Sequence, residues 1–330
     1  MSLIAAAVAV SAATTLSACV SSSPTTVNGV TAITVGAFAN ALPTLPIQVA
    51  QNQGFFEQNK LEVDVETASS MPSLLQAAVA RQIDVAAITG TVAATAIREG
   101  APLKAIIGQG GGSTVVVSNS VHDTGATYPD SARALADRTI GVTAPGGYSD
   151  QIFKYIEKEA DVPGMKYVTV TGVAENISAL QSGRVQAVNL DPISAIRVQR
   201  MNLGRILYDF QHTGPTEMLN VPTTYGFANV SFAGNPAAPA FARAIAQAID
   251  WIKNPANSGA LQVELTNLLG QEVNYSPDEL DLVRGSFVAH IDPAGLAANF
   301  AVAGVDADPQ AVVGPDAPTT EAGAADLIGS

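Results

Sequence analysis

One cysteine, three histidines and 16 Lys plus Arg against 29 Asp plus Glu are all that this 330-residue chain offers for disulfides, metal sites and polyanion grooves. With Cys19 alone there is no internal disulfide and no cysteine-based zinc site. His122, His212 and His290 are scattered, without companions at metal-ligand spacing, so no metal is expected. A formal net charge of -13 excludes nucleic acid as a partner. Neither a G-x-S-x-G elbow nor a P-loop occurs, and a nucleophile with a base cannot be assembled from any local motif. No enzyme and no cofactor are therefore expected. Charged residues make up 14% of the chain and hydrophobic ones 47%. Even so, no stretch beyond the N terminus runs to the ~20 apolar residues of a membrane span without a charge or a Pro/Gly break.

What is present begins at the N terminus. An apolar stretch, Leu3 to Ala13, leads into Leu16-Ser17-Ala18-Cys19, which resembles a bacterial lipobox. The apolar segment falls short of a bilayer span and reads as a secretion signal. Residues 1–18 are expected to be removed, leaving Cys19 as a lipidated first residue. Residues 19–29, rich in Ser, Thr and Pro, are then a tether to the membrane. Met1-Ser2-Leu3 lacks the Lys or Arg with which such signals begin, which leaves room for a start upstream. The alternative, a cysteine buried in a core helix, would give the Ser-rich segment no role. The remaining length, about 310 residues, suits two lobes rather than one small domain.

From Ala32 onward, β-rich runs alternate with helical patterns. The first series of runs is Ala32–Phe38, Leu61–Thr67, Asp84–Thr89, Leu103–Ile107 and Thr114–Ser118. Alternation of this kind predicts βαβ units and a mostly parallel sheet. Leu61-Glu62-Val63-Asp64-Val65-Glu66 alternates apolar with acidic, as an edge strand with one solvated face would. A second series runs Thr139–Thr143, Asp150–Ala160, Lys166–Thr171, Ala174–Ser182, Val185–Leu190, Pro192–Met201 and Arg205–Phe210. The layout predicts an α/β protein of two Rossmann-like lobes. Residues 30–118 with 223–303 form the first lobe and 119–222 the second, with hinge crossings near 118–122 and 211–223. After Thr223–Phe232, helices are expected over Pro236–Lys253, Ala260–Leu269, Pro277–Ala289 and Pro293–Ala303. Residues 304–330, rich in Ala, Gly, Pro and Asp, read as a flexible tail or a loose wrap.

Asn52-Gln53-Gly54-Phe55-Phe56-Glu57 followed by Leu61-Glu62-Val63 has a structural reading of its own: a helix from Pro43 to Gln53, a C′ glycine, and Phe55-Phe56 tucked into the core. The same stretch resembles the first βαβ unit of solute-binding proteins serving ABC importers of sulfonates, taurine and nitrate. The resemblance continues at Ile83-Asp84-Val85, Gly100-Ala101-Pro102-Leu103-Lys104, Ile140-Gly141-Val142, Leu180-Gln181-Ser182-Gly183 and Asp191-Pro192, over roughly residues 30 to 255. It implies a type II periplasmic-binding-protein fold outside the cytoplasm and a ligand enclosed between lobes that close by hinge motion. It further implies an ABC permease as partner and a monomer as the working unit. One enzymatic relative of the fold makes the thiamine pyrimidine with a cysteine-rich motif, which a single cysteine cannot supply.

Ligands of open α/β sheets bind beyond the carboxyl ends of the strands. Four such ends are candidates: Phe38, Asn40, Ala41 and Leu42; Ser69 and Ser70; Thr89, Gly90 and Thr91; and Gly147, Tyr148 and Ser149. Each sets free N–H groups and a hydroxyl or amide at a helix start, which favours an anionic group. Ser70, Thr91 and Ser149 serve equally as ordinary helix caps. Asp191 before Pro192 is either a helix start or an acid facing the cleft. None of these loops contains Lys or Arg, so a sulfonate-like anion would rest on N–H groups and hydroxyls, with Phe38, Leu42 and Tyr148 covering an apolar part. A neutral or aromatic nutrient, such as a pyrimidine or aromatic carboxylate, is the alternative. Gly108-Gln109-Gly110-Gly111-Gly112-Ser113 imitates a dinucleotide loop, but the following Thr114–Val117 reads as strand where a helix would be required. Its glycines are expected to let backbone approach the cleft.

Overall fold

The computed structural model describes residues 24–329 except 69, 111, 123, 147, 211, 216–218 and 220. Cys19, the signal and residues 19–23 of the expected tether lie outside these residues, as do Ser69 and Gly147, while Thr25–Val27 is not a free tether but a strand paired antiparallel with Val30–Ala32. Eleven strands among the described residues form two sheets. The first sheet holds β1 (Thr25–Val27), β2 (Val30–Phe38), β3 (Leu61–Ala68), β4 (Val85–Thr89), β5 (Leu103–Gly110) and β11 (Thr224–Asn229). The second has β6 (Thr114–Ser118), β7 (Thr139–Val142), β8 (Lys166–Thr169), β9 (Ala187–Leu190) and β10 (Gly204–Asp209), in the order β10-β6-β9-β7-β8.

The connecting helices are α1 (Leu45–Asn52), α2 (Phe55–Gln58), α3 (Met71–Val79), α4 (Gly90–Arg98), α5 (Tyr148–Glu159), α6 (Val173–Gln181), α7 (Pro192–Arg200) and α8 (Val230–Ala233). Toward the C terminus follow α9 (Ala237–Lys253), α10 (Ser258–Leu269), α11 (Pro277–Gly285), α12 (Pro293–Val302) and α13 (Glu321–Gly329). Gly54, at φ 72, ends α1 in the left-handed turn that a side chain disfavours. Phe56 is then buried and stacks on Phe241 of α9 at 5.9 Å.

Strand β3 pairs only with β2 among the described strands, and its acidic residues face outward, as the alternation implies. β6 differs from expectation. Grouped with the first series in the sequence, it pairs antiparallel with β9 and β10 and belongs to the second sheet. The first crossing therefore falls between Gly110 and Thr114 rather than near 118–122. An apolar run such as Thr114–Ser118 suits a central strand of either sheet, so composition could not assign it. The second crossing lies between Asp209 and Thr224. The helix expected to reach Ala289 ends at Gly285, and the chain then runs along the outer edge of β5, where the Gly108 N–H donates to Ala289 O at 3.0 Å.

Residues 304–329 also pack differently from a flexible tail. Ala105 N donates to Val312 O and Gly314 N to Ala105 O, so this segment covers the same edge, and α13 packs on α9. Covering removes the unpaired N–H and C=O row that an edge strand exposes. Two helices join the cores of the two sheets. Ile196 of α7 enters the core on one face of the first sheet, while α12 places Leu296 and Phe300 in the core on its other face and Ala298 and Val302 against the second sheet.

Candidate ligand-binding site

Strand polarity fixes where the sheets meet. β2, β3 and β4 run parallel, and β11 runs against β4 and β5, so β2–β5 end on the edge where β11 begins. In the second sheet β7, β8 and β9 are parallel and β6 opposes β9 and β10, so β7–β10 end where β6 begins. Both crossings connect these two edges. The strand ends of one sheet thus face those of the other.

On the second-sheet edge the polar groups hold one another. Asn189 donates to Ser113 Oγ at 2.6 Å and to Thr114 O at 3.0 Å. Tyr148, the first described residue of α5, is hydrogen-bonded to Ser113. Burial pushes its phenol up to about 12, the Ser113 bond pulling weakly the other way. Ser149 is 4% exposed and accepts from Thr143 N at 2.8 Å, and Asp150 accepts from Gly146 N and Lys154 Nζ. Asp191 caps α7, taking Ser194 N at 3.1 Å and the Ser194 hydroxyl.

The first-sheet edge is built from Thr89, Gly90, Thr91, Tyr225 and the crossing residues. Gly90 N donates to Thr223 O at 3.0 Å, and Thr89 caps α4 through Val92 N. A side chain on Gly90 would press within 3.1 Å of both Tyr225 and Asn299, so only glycine lets α4 approach them without displacement. Asn299 of α12 donates within 3.2–3.3 Å of Tyr225 Oη, Pro222 O and Gly295 O. Tyr225 is fully buried, and desolvation, with Tyr148 and Asp292 nearby, holds its phenol well above the ordinary range.

Other predicted residues separate from this group. Leu42 is core. Phe38 packs partly buried beside Leu74 and Ile88, and its carbonyl accepts from Thr44 Oγ1 at 2.7 Å. Ala41 opens the short 3-10 turn Leu42–Thr44. Asn40, at φ 54, lines a cavity of about 300 Å³ with Thr44, Gln48, Thr67 and Asn267, on the α1–α10 side. Ser70 caps α3 through Ser73 N. A cavity of about 750 Å³ lies between α5 and α12, apolar apart from Tyr155, Asp292 and Asp306, and lined by none of the predicted residues.

Sequence reasoning passed over Gln109, Ser113, Asn189, Thr224, Tyr225 and Asn299. A signal existed: each amide is a lone polar side chain in an apolar strand or an Ala-rich helix, a pattern that demands a partner. The glycine loop behaves as expected in kind but toward another target, for Gly108 and Gly110 leave room for backbone of residues 286–290. Among the described residues no group of three His, Cys, Asp or Glu could hold a metal ion, and no helix is long and apolar enough to cross a membrane.

Two sheets joined by two crossings at their strand ends define the periplasmic-binding-protein fold, and solved structures agree. The periplasmic aliphatic sulphonate-binding protein of Escherichia coli is 16% identical, with a TM-score of 0.63 over 83% of this chain and 85% of that one. The alkanesulfonate-binding protein of Xanthomonas axonopodis pv. citri gives 14% and 0.59 over 81% and 89%. The nitrate-binding protein of Synechocystis PCC 6803 gives 16% and 0.54 over 76% and 69%. No curated protein matches the chain. Residues 28–263 match the NMT1-like family, and the chain belongs to it.

Proposed function

We propose that the protein is the extracytoplasmic solute-binding component of an ABC importer, anchored by lipid at Cys19, which captures a small organic molecule between its lobes and delivers it to a permease. In this reading residues 30–110 with 224–303 act as the first lobe and 114–209 as the second, working as a monomer. The observation that carries it is the opposition of the two strand-end edges, set by strand polarity and joined by both crossings. Residues proposed to meet the ligand are Thr89, Gly90, Thr91, Tyr148 and Asp191, with Ser69 and Gly147 proposed beside them; Ser149 supports this wall through Thr143, and Phe38, Asn40, Ala41, Leu42 and Ser70 stand apart from it.

A sulfonate-like anion follows from the resemblance to sulfonate- and nitrate-binding proteins. A neutral nutrient is favoured by a specific observation: the helix caps consume donors an anion would need. Val92 N, Ser73 N and Ser194 N are each taken by the cap of their own helix. A ligand that binds only the folded protein stabilises it by RT ln(1 + [L]/Kd), about 2.7 kcal/mol at a hundredfold excess over Kd. A panel of sulfonates, nitrate, pyrimidines and aromatic acids should give at least one saturable rise in melting temperature without chemical turnover. Turnover by the pure protein would overturn the proposal. For the anchor, Cys19→Ser should move the folded protein from the membrane fraction to the soluble one.

A further inference from the structure

The penultimate residue of β5 is a glutamine that follows the apolar run Ala105–Ile107. Gln109 is fully buried, and neither its Nε2 nor its Oε1 has a hydrogen-bond partner. Buried amides are ordinarily satisfied, because each unmet donor or acceptor carries its full desolvation cost. Two further groups share the condition. Thr224 pairs across from Gly110 and keeps a buried, unpartnered hydroxyl, and Asn299, bonded to Tyr225, keeps an unpartnered Oδ1.

The inventory has a sign. Two carbonyl-type oxygens that only accept, one amide nitrogen that only donates and a hydroxyl that does either await partners. An anion brings acceptors alone, so it could satisfy Nε2 and the hydroxyl but would set its charge beside the two oxygens. Neighbouring charge is also negative: Asp292 acts on Tyr225, and Asp191 heads the facing helix. The nearby arginines are engaged, Arg200 with Glu279 and Arg284 with Asp281. A neutral group with N–H beside C=O meets a carboxamide through two parallel hydrogen bonds, as glutamine meets the donor–acceptor edge of adenine.

Resting on the cleft reading above, we infer that Gln109 is a specificity-determining residue and that the ligand is an uncharged molecule presenting a cis-amide edge, such as a lactam or cyclic ureide, rather than a sulfonate or nitrate. Thr224 and Asn299 supply the flanking hydroxyl and acceptor.

The test uses the full chain with hydantoin, 2-pyrrolidone, methanesulfonate and nitrate as probes, read by thermal shift and calorimetry. At least one of the two cyclic amides should bind saturably and both anions should fail. Gln109→Leu should cut that affinity at least tenfold while leaving the unliganded melting temperature no lower, since an unpaired polar group has been replaced by an apolar one. Gln109→Glu, which exchanges the donor for an acceptor, should lose binding as fully. If Gln109→Leu does not fold, Thr224→Val carries the same test with a smaller loss. Failure of both cyclic amides to bind overturns the assignment. Methanesulfonate binding that is lost in Tyr148→Ala and kept in Gln109→Leu overturns the ligand class and leaves the cleft standing. A probe whose affinity survives both substitutions overturns the cleft reading as well.

Discussion

The two edges that meet at the crossings handle buried polar groups in opposite ways. On the second-sheet edge Ser113, Asn189, Ser149 and Asp150 are bonded to one another or to nearby backbone. Across from it, Gln109, Thr224 and one end of Asn299 are buried without partners. A bonded group stabilises the fold and is costly to delete; an unbonded one costs stability and is cheap to replace. The contrast separates residues that build the site from residues held in reserve for a ligand.

The largest effect should come from breaking the wall behind the unbonded edge. Gly110 sits at φ +105, and any Cβ there would collide with Ser286 O and crowd Phe287. Gly110→Val is expected to cost about 4 kcal/mol or more and to yield misfolded protein. Wild-type melting in that variant would mean residues 286–290 can move aside, and the contrast would lose its frame.

Next is the direct comparison. Asp150→Ala removes a carboxylate that is 2% exposed and accepts from Gly146 N and Lys154 Nζ, and should cost about 2–3 kcal/mol in denaturant titration. Thr224→Val should change stability by about 0.5 kcal/mol or less and weaken ligand binding instead. Equal stability losses in the two variants would erase the distinction.

Ser149→Ala sharpens it further. Its hydroxyl accepts from the Thr143 amide, so about 1 kcal/mol of stability should be lost with affinity changed less than twofold. A tenfold affinity loss would instead make Ser149 a ligand contact. The smallest effect concerns acid. Arg200 holds the Glu279 carboxyl below its ordinary 4.5. Because the folded state binds that proton less readily, the pair's stabilisation is present above pH 4.5 and is lost as pH falls from there through the depressed value. Glu279→Gln should remove that portion of the acid sensitivity, measured as melting temperature against pH; an unchanged profile would show the pair contributes nothing.

Much of this was legible in the sequence. β2, β4 and β7 are apolar runs between turn signals, and α7 announces itself by Asp191-Pro192. The assignment of β6 was not legible, because a strand buried on both faces carries no mark of which sheet it joins. Nor was the unbonded edge. Gln109, Thr224 and Asn299 are brought together by β11 lying beside β5 and by α12 packing behind Tyr225, contacts between positions more than a hundred residues apart in the chain for Gln109 and Thr224. Local patterns place the caps Ser70 and Asp191 but not the others, for Thr89 rather than Thr91 caps α4 and Ser149 lies within α5; they also miss sites made by distant pairing.

The insertion of β11 between β4 and β5 also sets an order in time. β5 receives its inner neighbour only after residues 224–229 exist and its outer cover only after residues 289 and 312–314. During synthesis the first sheet therefore stays incomplete until nearly the whole chain has been made, since pairings at such separation close late. Under the proposed export, a chain threaded across a membrane before folding gains from that delay, because the long-range pairing that finishes the sheet comes last.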